Sequence, residues 1–419
     1  MSIQQNFPAI SPSLNLNFAR SKTLDPRITF SRTTTATRVN EQGLVEVVSA
    51  DIPRFDHEYD ASTGVIKSLG LLVEEQRSNR VTNNEDLSLW KQNSNPTLNS
   101  NDTVSPDGNT TADKVTQTNQ VFTGVSTDMS GITTNTVYSC SVFIKPDGDT
   151  TTRFGFYDTS NWQGSLDTDW SSGEPSTNGS LGGASDIVYE EYPNGWYRAS
   201  FKASTQSNAF AGTVSFHCHP DRTGTGKSAW FWGAQLEAGA FPTSYIPTSG
   251  STETRNPDKV SMEGDNFSDW YNQSEGTFYS QFKGESRAGS TGYVTKIVYS
   301  ISDGSFNNSH YGVTPESNGD MYWYSVSSGV GQGLLGITPL QPFASNVVYK
   351  SAYAIKTNDR ALSINGYIDT DSTTTLPVVN RLYIGSSWTG SSIYLGGHIS
   401  QLTYYPRRLT NTQLQNLTK

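Results

Sequence analysis

The chain has only two cysteines, Cys140 and Cys218, in 419 residues. Two thiols are too few for the disulfide framework of a small secreted domain, and they lack the paired spacing of a structural zinc site. Each lies in a stretch where alternate residues are apolar, which predicts that both side chains are buried. We therefore expect two reduced thiols and a chain that folds in a reducing cytoplasm.

Charged side chains are also scarce, at 16% of the residues, and the net charge is −10. Most of the acidic excess falls in residues 81–250, which hold eight basic and seventeen acidic side chains. The sequence has no stripe of basic residues that could contact a phosphate backbone, so nucleic acid is not expected as a partner. No apolar run reaches the roughly 18 residues of a bilayer span, and the amino terminus has no export signal, so no membrane insertion is expected.

The motifs of common catalysts are missing as well. The sequence has no G-x-S-x-G turn, no P-loop and no cysteine with a matched histidine. A glycan hydrolase needs two carboxylates about 5 to 10 Å apart across a cleft. The acidic pair Asp167 and Asp169 has no supporting pattern of this kind. We therefore expect a protein that is not an enzyme.

The chain is rich in Ser, Thr, Asn and Gly, and aromatic residues reach 11%. This composition suits many short strands joined by tight turns, and it predicts an all-β protein. The length predicts two or three domains. The stretch from Ala229 to Leu236 is apolar on both faces, with Phe231 on one face and Trp230, Trp232, Ala234 and Leu236 on the other. Such a strand belongs in the middle of a β-sandwich.

Three segments follow from the strand patterns. Residues 1–80 predict two hairpins, with turns at 40–43 and 60–64, that need a partner surface. Residues 81–250 predict a jelly roll and residues 260–419 a second sandwich, because apolar residues alternate along their strands. The predicted fold is two antiparallel β-sandwich (jelly-roll) domains after a short N-terminal β-hairpin segment. We expect each sandwich to fold separately.

Residues 30–79 carry four blocks, SRTTTATRVN, GLVE, PRFD and GLLVEEQRSN. At this spacing the segment resembles a module near the amino termini of tailed-bacteriophage virion and tail proteins. In such proteins a carbohydrate-binding-module-like jelly roll follows, and often a concanavalin A-like (laminin-G-like) lectin domain. NGWYRASF and WFWGAQLEAGAFPTSYIPT resemble that jelly roll, and ALSINGYID with RLYIGSS resembles the lectin domain, which ends in a short helix. Thr410 and Gln413 form a capping box that predicts this helix here.

Aromatic rings that project from polar loops are typical sugar-stacking residues. Trp162 and Trp170 lie in the polar stretch DTSNWQGSLDTDWSSGEPSTNGS, and Trp388 lies in GSSWTGSS. We interpret these three tryptophans as candidate glycan-binding residues. The alternative, which stays open, is that the indoles anchor loops to the rim of a sandwich.

Oxygen ligands for calcium are present in the middle segment. The candidates are Asp147, Asp149, Asp167 and Asp169. Because no EF-hand spacing is present, a structural Ca²⁺ site and a solvated acidic surface both stay open. No other cofactor is expected.

His217 and His219 stand two residues apart on the predicted outward face of a strand. Side chains at this spacing point the same way, so the two rings have the geometry to share a metal ion. No third ligand is recognisable nearby. Two surface histidines without a function are the alternative interpretation.

The resemblance implies a phage virion surface protein, such as a tail fibre, spike or head fibre, that attaches to host-surface glycans. Its N-terminal segment would bind other virion proteins, and the chain would form a homotrimer. It would fold in the host cytoplasm and reside in the virion. Two alternatives stay open: a capsid decoration or tail adaptor that binds no glycan, and a glycan depolymerase.

Overall fold

A computed structural model describes residues 6–118, 120, 122–222, 226–284, 296–314, 321–337 and 347–419. Its helices are short: Phe18–Ser21 (α1), Asp265–Ser268 (α2), Asn411–Thr418 (α3) and the 3-10 turns Leu87–Leu89 and Pro193–Gly195. The sheets pair antiparallel, which confirms the predicted all-β class of antiparallel sandwiches. In the described part of the chain, no helix has the length and apolarity to cross a membrane.

Seven strands lie within residues 6–80. They are Leu14–Asn17 (β1), Thr29–Ser31 (β2), Ala36–Val39 (β3), Val45–Val48 (β4), Phe55–Asp60 (β5), Val65–Val73 (β6) and Arg77–Asn79 (β7). Both predicted hairpins are confirmed, β3 with β4 and β5 with β6. In the first turn, Gly43 adopts a φ of 78°, a left-handed conformation that favours glycine.

Residues 81–250 form a jelly roll of two facing sheets. Its strands are Lys91–Asn93 (β8), Thr97–Thr103 (β9), Ala112–Thr116 (β10), Gly124–Asp128 (β11), Val137–Asp147 (β12), Thr151–Tyr157 (β13), Trp162–Asp169 (β14), Ser176–Leu181 (β15), Ser185–Tyr192 (β16), Trp196–Ser204 (β17), Ser215–His219 (β18) and Ser228–Ala238 (β19). One sheet has the order β16-β17-β12-β19-β10-β9, and the other has the order β15-β14-β13-β18-β11-β8. Phe154, Phe156 and Phe216 are fully buried in the core of this jelly roll, as their alternation predicts.

Strand β19 lies in the middle of its sheet, between β12 and β10, as the sequence predicts. The predicted alternation is confirmed for Trp230, Phe231 and Trp232 but is wrong for Ala234 and Leu236, because a β-bulge interrupts the strand. Gly233 adopts a φ of 63° there, and the register against β12 shifts. Phe231 and Ala234 therefore both face the inner core, while Trp232 packs against Phe143 on the outer face.

Both cysteines lie in the jelly-roll core and are fully buried. Burial raises the pKa of each thiol above its ordinary value, so the reactive thiolate is scarce at neutral pH. We expect a thiol reagent to label Cys140 and Cys218 slowly in native protein and rapidly after denaturation, measured by mass spectrometry. If both thiols react rapidly without denaturant, the result would contradict the burial of the Cys140 and Cys218 side chains.

Residues 251–419 supply the remaining strands. They are Glu253–Arg255 (β20), Lys259–Glu263 (β21), Glu275–Gly284 (β22), Lys296–Ser302 (β23), Ser309–Thr314 (β24), Met321–Ser327 (β25), Val330–Ile337 (β26), Tyr349–Lys356 (β27), Arg360–Ile364 (β28), Tyr367–Asp371 (β29), Arg381–Ile384 (β30) and Gly397–Tyr405 (β31). One sheet has the order β29-β28-β27-β22-β31-β6-β5, with β1 also paired to β31. The other has the order β2-β21-β30-β23-β24-β25-β26.

Strands β1, β2, β5 and β6 thus belong to the carboxy-terminal sandwich. β1 and β6 pair with β31, and β2 pairs with β21. Leu16, Phe55 and Leu71 are buried in the same core as Phe278 and Tyr404. The partner surface that the sequence predicts for this hairpin segment is therefore the last domain, which covers the apolar faces of these strands.

The jelly roll is inserted between β7 and β20. These two strands pair with each other, with Arg77 opposite Arg255. The chain therefore enters and leaves the jelly roll through neighbouring strands, and the sandwich around it is built from both ends of the sequence.

A buried ion cluster fixes this junction. Asp258 is fully buried and accepts hydrogen bonds from Arg32 (2.9 Å) and Arg54, while Glu74 contacts Arg54 at 2.8 Å and Arg255 at 3.2 Å. Burial disfavours the charged form of Arg54, but the Asp258 and Glu74 carboxylates outweigh this and raise its pKa. Arg32, Arg54 and Glu74 come from the blocks SRTTTATRVN, PRFD and GLLVEEQRSN. These blocks therefore meet in space.

The last helix, α3, begins at the predicted cap. The Thr410 hydroxyl accepts from the Gln413 N–H at 3.3 Å, and the Gln413 side chain accepts from the Thr410 N–H at 3.0 Å. Leu414 is buried with Ala352 and Ala361 of β27 and β28. The helix therefore covers the outer face of the eight-stranded sheet.

Candidate functional site

Trp170 does not lie on the surface. It is 2% exposed, packs against Tyr197 with ring centroids 5.2 Å apart, and donates its indole N–H to the Thr152 hydroxyl at 3.0 Å. The sequence prediction of a loop residue available to a sugar is wrong for Trp170. It immediately follows β14 and continues the inward-facing positions of Leu166 and Thr168.

Trp162 begins β14 and lies on the outward face of its sheet, where it is partly exposed. Its ring centroid lies 5.4 Å from Tyr157 of β13 and 5.5 Å from His217 of β18. Tyr157 stands opposite Trp162 in the ladder between β13 and β14, and alternate residues of a strand share a face. We call Trp162, Tyr157, His217, Arg153 and Asp167 the Trp162 face.

His217 and His219 point the same way, and their rings stack at 5.7 Å with an interplanar angle of 12°. The expectation of two surface histidines is wrong for His219, which is 3% exposed and lies 6.0 Å from the Trp162 ring. Burial lowers the pKa of His217 to about 4, and burial together with His217 lowers the pKa of His219 to about 3. Both imidazoles are therefore neutral at pH 7, and Trp162, Tyr157 and His217 form an uncharged aromatic patch.

The polar side of the Trp162 face is an ion pair between β13 and β14. Arg153 donates to both oxygens of Asp167, with the Nη2–Oδ2 distance at 2.6 Å. Its guanidinium lies 5.3 Å from the Trp162 ring centroid. A second cation is close to this carboxylate, because the Nε atom of Arg222 lies 3.8 Å from Asp167 Oδ2. Asp167 is therefore already compensated by cations and is not a free calcium ligand.

The other predicted calcium ligands have separate partners. Asp147 contacts Lys114 at 2.7 Å, Asp149 contacts Lys227 at 3.0 Å, and Asp169 accepts the Ser171 N–H at 2.9 Å. Among the residues that the structure describes, no three His, Cys, Asp or Glu side chains are grouped as a metal site. The arrangement of these aspartates does not support the calcium interpretation.

Trp388 lies on the other sandwich. It is partly buried and packs 4.9 Å from Phe306 and 4.9 Å from Tyr311, measured between ring centroids. Phe306 is 41% exposed. Trp388 is thus part of a second aromatic patch, on the seven-stranded sheet, and the structure does not bring it together with Trp162.

Two members of the Trp162 face escaped the sequence prediction, Arg153 and Tyr157. The stretch RFGFYD predicts that Phe154 and Phe156 face inward, and the same alternation places Arg153 and Tyr157 outward. The outward positions of Arg153 and Tyr157 in this alternation are the sequence signal that identifies them as members of the face. Its chemistry, a flat aromatic patch beside a hydrogen-bonding ion pair, suits a ligand with both apolar faces and hydroxyl groups.

Comparison with known proteins identifies no family for the chain and finds only weak structural likenesses. No protein-family model matches the chain, and no curated protein matches it. A Ruminococcus gnavus sialidase CBM40 bound to α2,3 sialyllactose is 15% identical with a TM-score of 0.29, over 35% of this chain and 84% of that one. Domain 4 of a Geobacillus stearothermophilus GH43 arabinanase, in complex with arabinotriose, is 13% identical with a TM-score of 0.30, over 42% and 82%. Mouse laminin α1 domains LG4-5 are 9% identical with a TM-score of 0.25, over 71% and 90%. At these scores the likeness carries no argument about a ligand.

Proposed function

We propose that the chain binds glycans through the Trp162 face. The observation that carries this proposal is the partly exposed indole of Trp162, which lies in one patch with Tyr157 and neutral His217 beside the Arg153–Asp167 pair. Pyranose rings present apolar faces that stack on aromatic rings, and their hydroxyls donate and accept hydrogen bonds. Because Arg153 and Asp167 compensate each other, a neutral sugar suits the patch better than an ion.

We further propose that the chain is a tailed-phage virion surface protein that attaches to host glycans without cleaving them. The resemblance of residues 30–79 supports this role, and so does their exposed apolar surface: Val47 and Ile52 are 59% and 52% exposed, as a contact with another virion protein requires. Assembly as a homotrimer would multiply a weak single-site affinity through multivalency.

The test compares wild type with Trp162→Ala on a glycan array, using protein in multivalent form. We expect Trp162→Ala to weaken binding by about tenfold or more, equivalent to about 1.4 kcal/mol, because the stacking surface is lost. Trp162→Phe keeps a ring and should retain part of the binding. Trp388→Ala is the matched control, a partly buried tryptophan on the other sandwich, and should bind as wild type does.

Two further readouts separate the alternatives. Binding should change little between low and high salt, and little between pH 6 and 8, because His217 is neutral throughout this range. Loss of binding in Trp388→Ala rather than Trp162→Ala would move the site to the second sandwich. A wild type that binds no glycan would favour the capsid-decoration role, and new reducing ends released from host polysaccharide would favour a depolymerase.

A further inference from the structure

A strained and exposed phenylalanine lies in the turn before β11. The Phe122 side chain is 53% exposed, and its backbone φ is 72°. Among the residues that the structure describes, no other aromatic residue has a φ in the left-handed region. This conformation is unfavourable for a bulky side chain, and it persists where the surrounding structure imposes it, frequently at functional sites. A ring held in this way on the surface points to a contact outside the core.

The turn that carries Phe122 is fixed to the segment that follows β18. Gln117 is 3% exposed, and its side-chain amide donates to the Gln120 carbonyl at 2.9 Å and to the Asp221 carbonyl at 3.2 Å. The Thr123 hydroxyl also donates to the Gln120 carbonyl, at 2.8 Å. Because these bonds hold the turn, the Phe122 ring is preorganised, and little conformational freedom is lost when a ligand binds.

The Phe122 ring continues the Trp162 face. The Arg222 guanidinium lies 5.0 Å from the Phe122 ring centroid, and its Nε lies 3.8 Å from Asp167 Oδ2. Asp167 accepts from Arg153, whose guanidinium lies 5.3 Å from the Trp162 ring centroid. Two aromatic rings, Trp162 and Phe122, therefore flank one network of polar side chains.

A second series of contacts links the same two rings. His219 is the last residue of β18 and lies 6.0 Å from the Trp162 ring centroid. Its Nδ1 lies 3.2 Å from the carbonyl oxygen of Thr123, the residue that follows Phe122. The phenyl ring and the indole are therefore connected both through the polar network and through the backbone, which fixes their relative positions.

We propose that Phe122 forms a second stacking subsite, so that the glycan bound at the Trp162 face is an oligosaccharide of at least two residues. This subsite rests on the proposed glycan binding through Trp162, which it extends. Along β13 the backbone rises about 13 Å from Tyr157, opposite Trp162, to Arg153, and this length exceeds that of one pyranose ring. One sugar ring stacks on Trp162 and another on Phe122, and the hydroxyl groups between them lie over the polar network.

The experiment measures Kd by NMR titration of the full chain with glucose, galactose and mannose and with their linear di-, tri- and tetrasaccharides. We expect wild type to bind the trisaccharide of at least one series more tightly than its monosaccharide. Phe122→Asn removes the ring and should raise the Kd for that tri- and tetrasaccharide about three- to tenfold, the range of one aromatic contact, while leaving the monosaccharide Kd unchanged. Trp162→Ala should weaken the binding of short and long probes alike.

Thermal unfolding of the same variants separates a ring that binds from a ring that holds the loop. Asparagine adopts the left-handed backbone more readily than phenylalanine, so Phe122→Asn should melt at or above the wild-type temperature. Phe306→Ala is the matched control, because Phe306 is also an exposed phenylalanine, at 41%, but it lies on the other sandwich. This control should leave every Kd unchanged.

The outcomes distinguish the second subsite from the Trp162 face itself. If Phe122→Asn binds the long probes as wild type does while Trp162→Ala does not, the subsite is wrong and the Trp162 face stands. If Trp162→Ala binds every probe as wild type does, the proposed function is wrong, and the subsite that extends it is wrong too. Equal affinity of wild type for monosaccharide and tetrasaccharide would overturn the subsite alone, and no binding of any probe would overturn both. A lower melting temperature of Phe122→Asn, with weaker binding of short and long probes alike, would assign Phe122 to holding the loop and would overturn the subsite.

Discussion

Replacing Asp258 by alanine is expected to lower the free energy of unfolding by about 3 to 5 kcal/mol, the usual cost of breaking a buried ion pair. Asp258 accepts from Arg32 and Arg54 and also from the Glu74 backbone N–H at 3.0 Å. Its removal leaves two guanidinium groups buried beside one fewer carboxylate. The midpoint of thermal unfolding, followed by circular dichroism, measures the effect.

Asp149→Ala is the matched control for this experiment. Asp149 also forms an ion pair, with Lys227, but its side chain is 73% exposed, and an exposed pair contributes about 0 to 1 kcal/mol. Equal melting of the two variants would contradict the importance of the buried cluster. The cluster is also acid-sensitive. Arg255 and Arg54 outweigh burial and lower the pKa of Glu74, so its stabilisation is present above its ordinary pKa of 4.5 and is lost as the pH falls through the lower folded value.

Trp170→Ala is expected to destabilise the jelly roll by about 3 to 5 kcal/mol, the range for truncating a buried tryptophan. The indole is buried against Tyr197, and its loss also leaves the Thr152 hydroxyl without this donor. We expect a lower unfolding midpoint in urea, measured by circular dichroism, and unchanged glycan binding by the fraction that remains folded.

Trp162→Ala is the natural comparison, because Trp162 begins the strand that Trp170 follows but is partly exposed. It should alter stability far less than Trp170→Ala while weakening glycan binding by about tenfold or more. If Trp170→Ala melts as wild type does but no longer binds glycan, Trp170 must be a surface residue. That result would contradict the strand assignment of β14.

These two tryptophans show where sequence reasoning stops. The stretch around Trp162 and Trp170 is rich in Ser, Asp and Gly, which indicates a loop, yet it forms β14. Tertiary pairing with β13 and β15 overrides this local preference. The sequence predicts strands such as β18, because Phe216 and Cys218 alternate with polar residues. In β14 only Leu166 marks the inner face.

The long-range pairing of the N-terminal strands lay equally beyond the sequence. Alternation and turn residues identify the hairpin of β5 and β6, but they do not say which other strand pairs with this hairpin. The strand that pairs with β6 is β31, which lies more than three hundred residues further along the chain. For the same reason, independent folding of residues 81–250 stays a prediction. A fragment of residues 260–419 would lack β1, β2, β5 and β6 from its two sheets.

The insertion of the jelly roll between β7 and β20 has a consequence for synthesis on the ribosome. At about 5 to 20 residues per second, β31 emerges on the order of tens of seconds after β6. During that interval the jelly roll has all of its own strands and can fold, while Leu16, Phe55 and Leu71 still lack the partners that cover them. The nascent chain therefore carries exposed apolar side chains on β1, β5 and β6 until β31 has emerged, and in this period aggregation or chaperone binding would compete with closure of the sandwich.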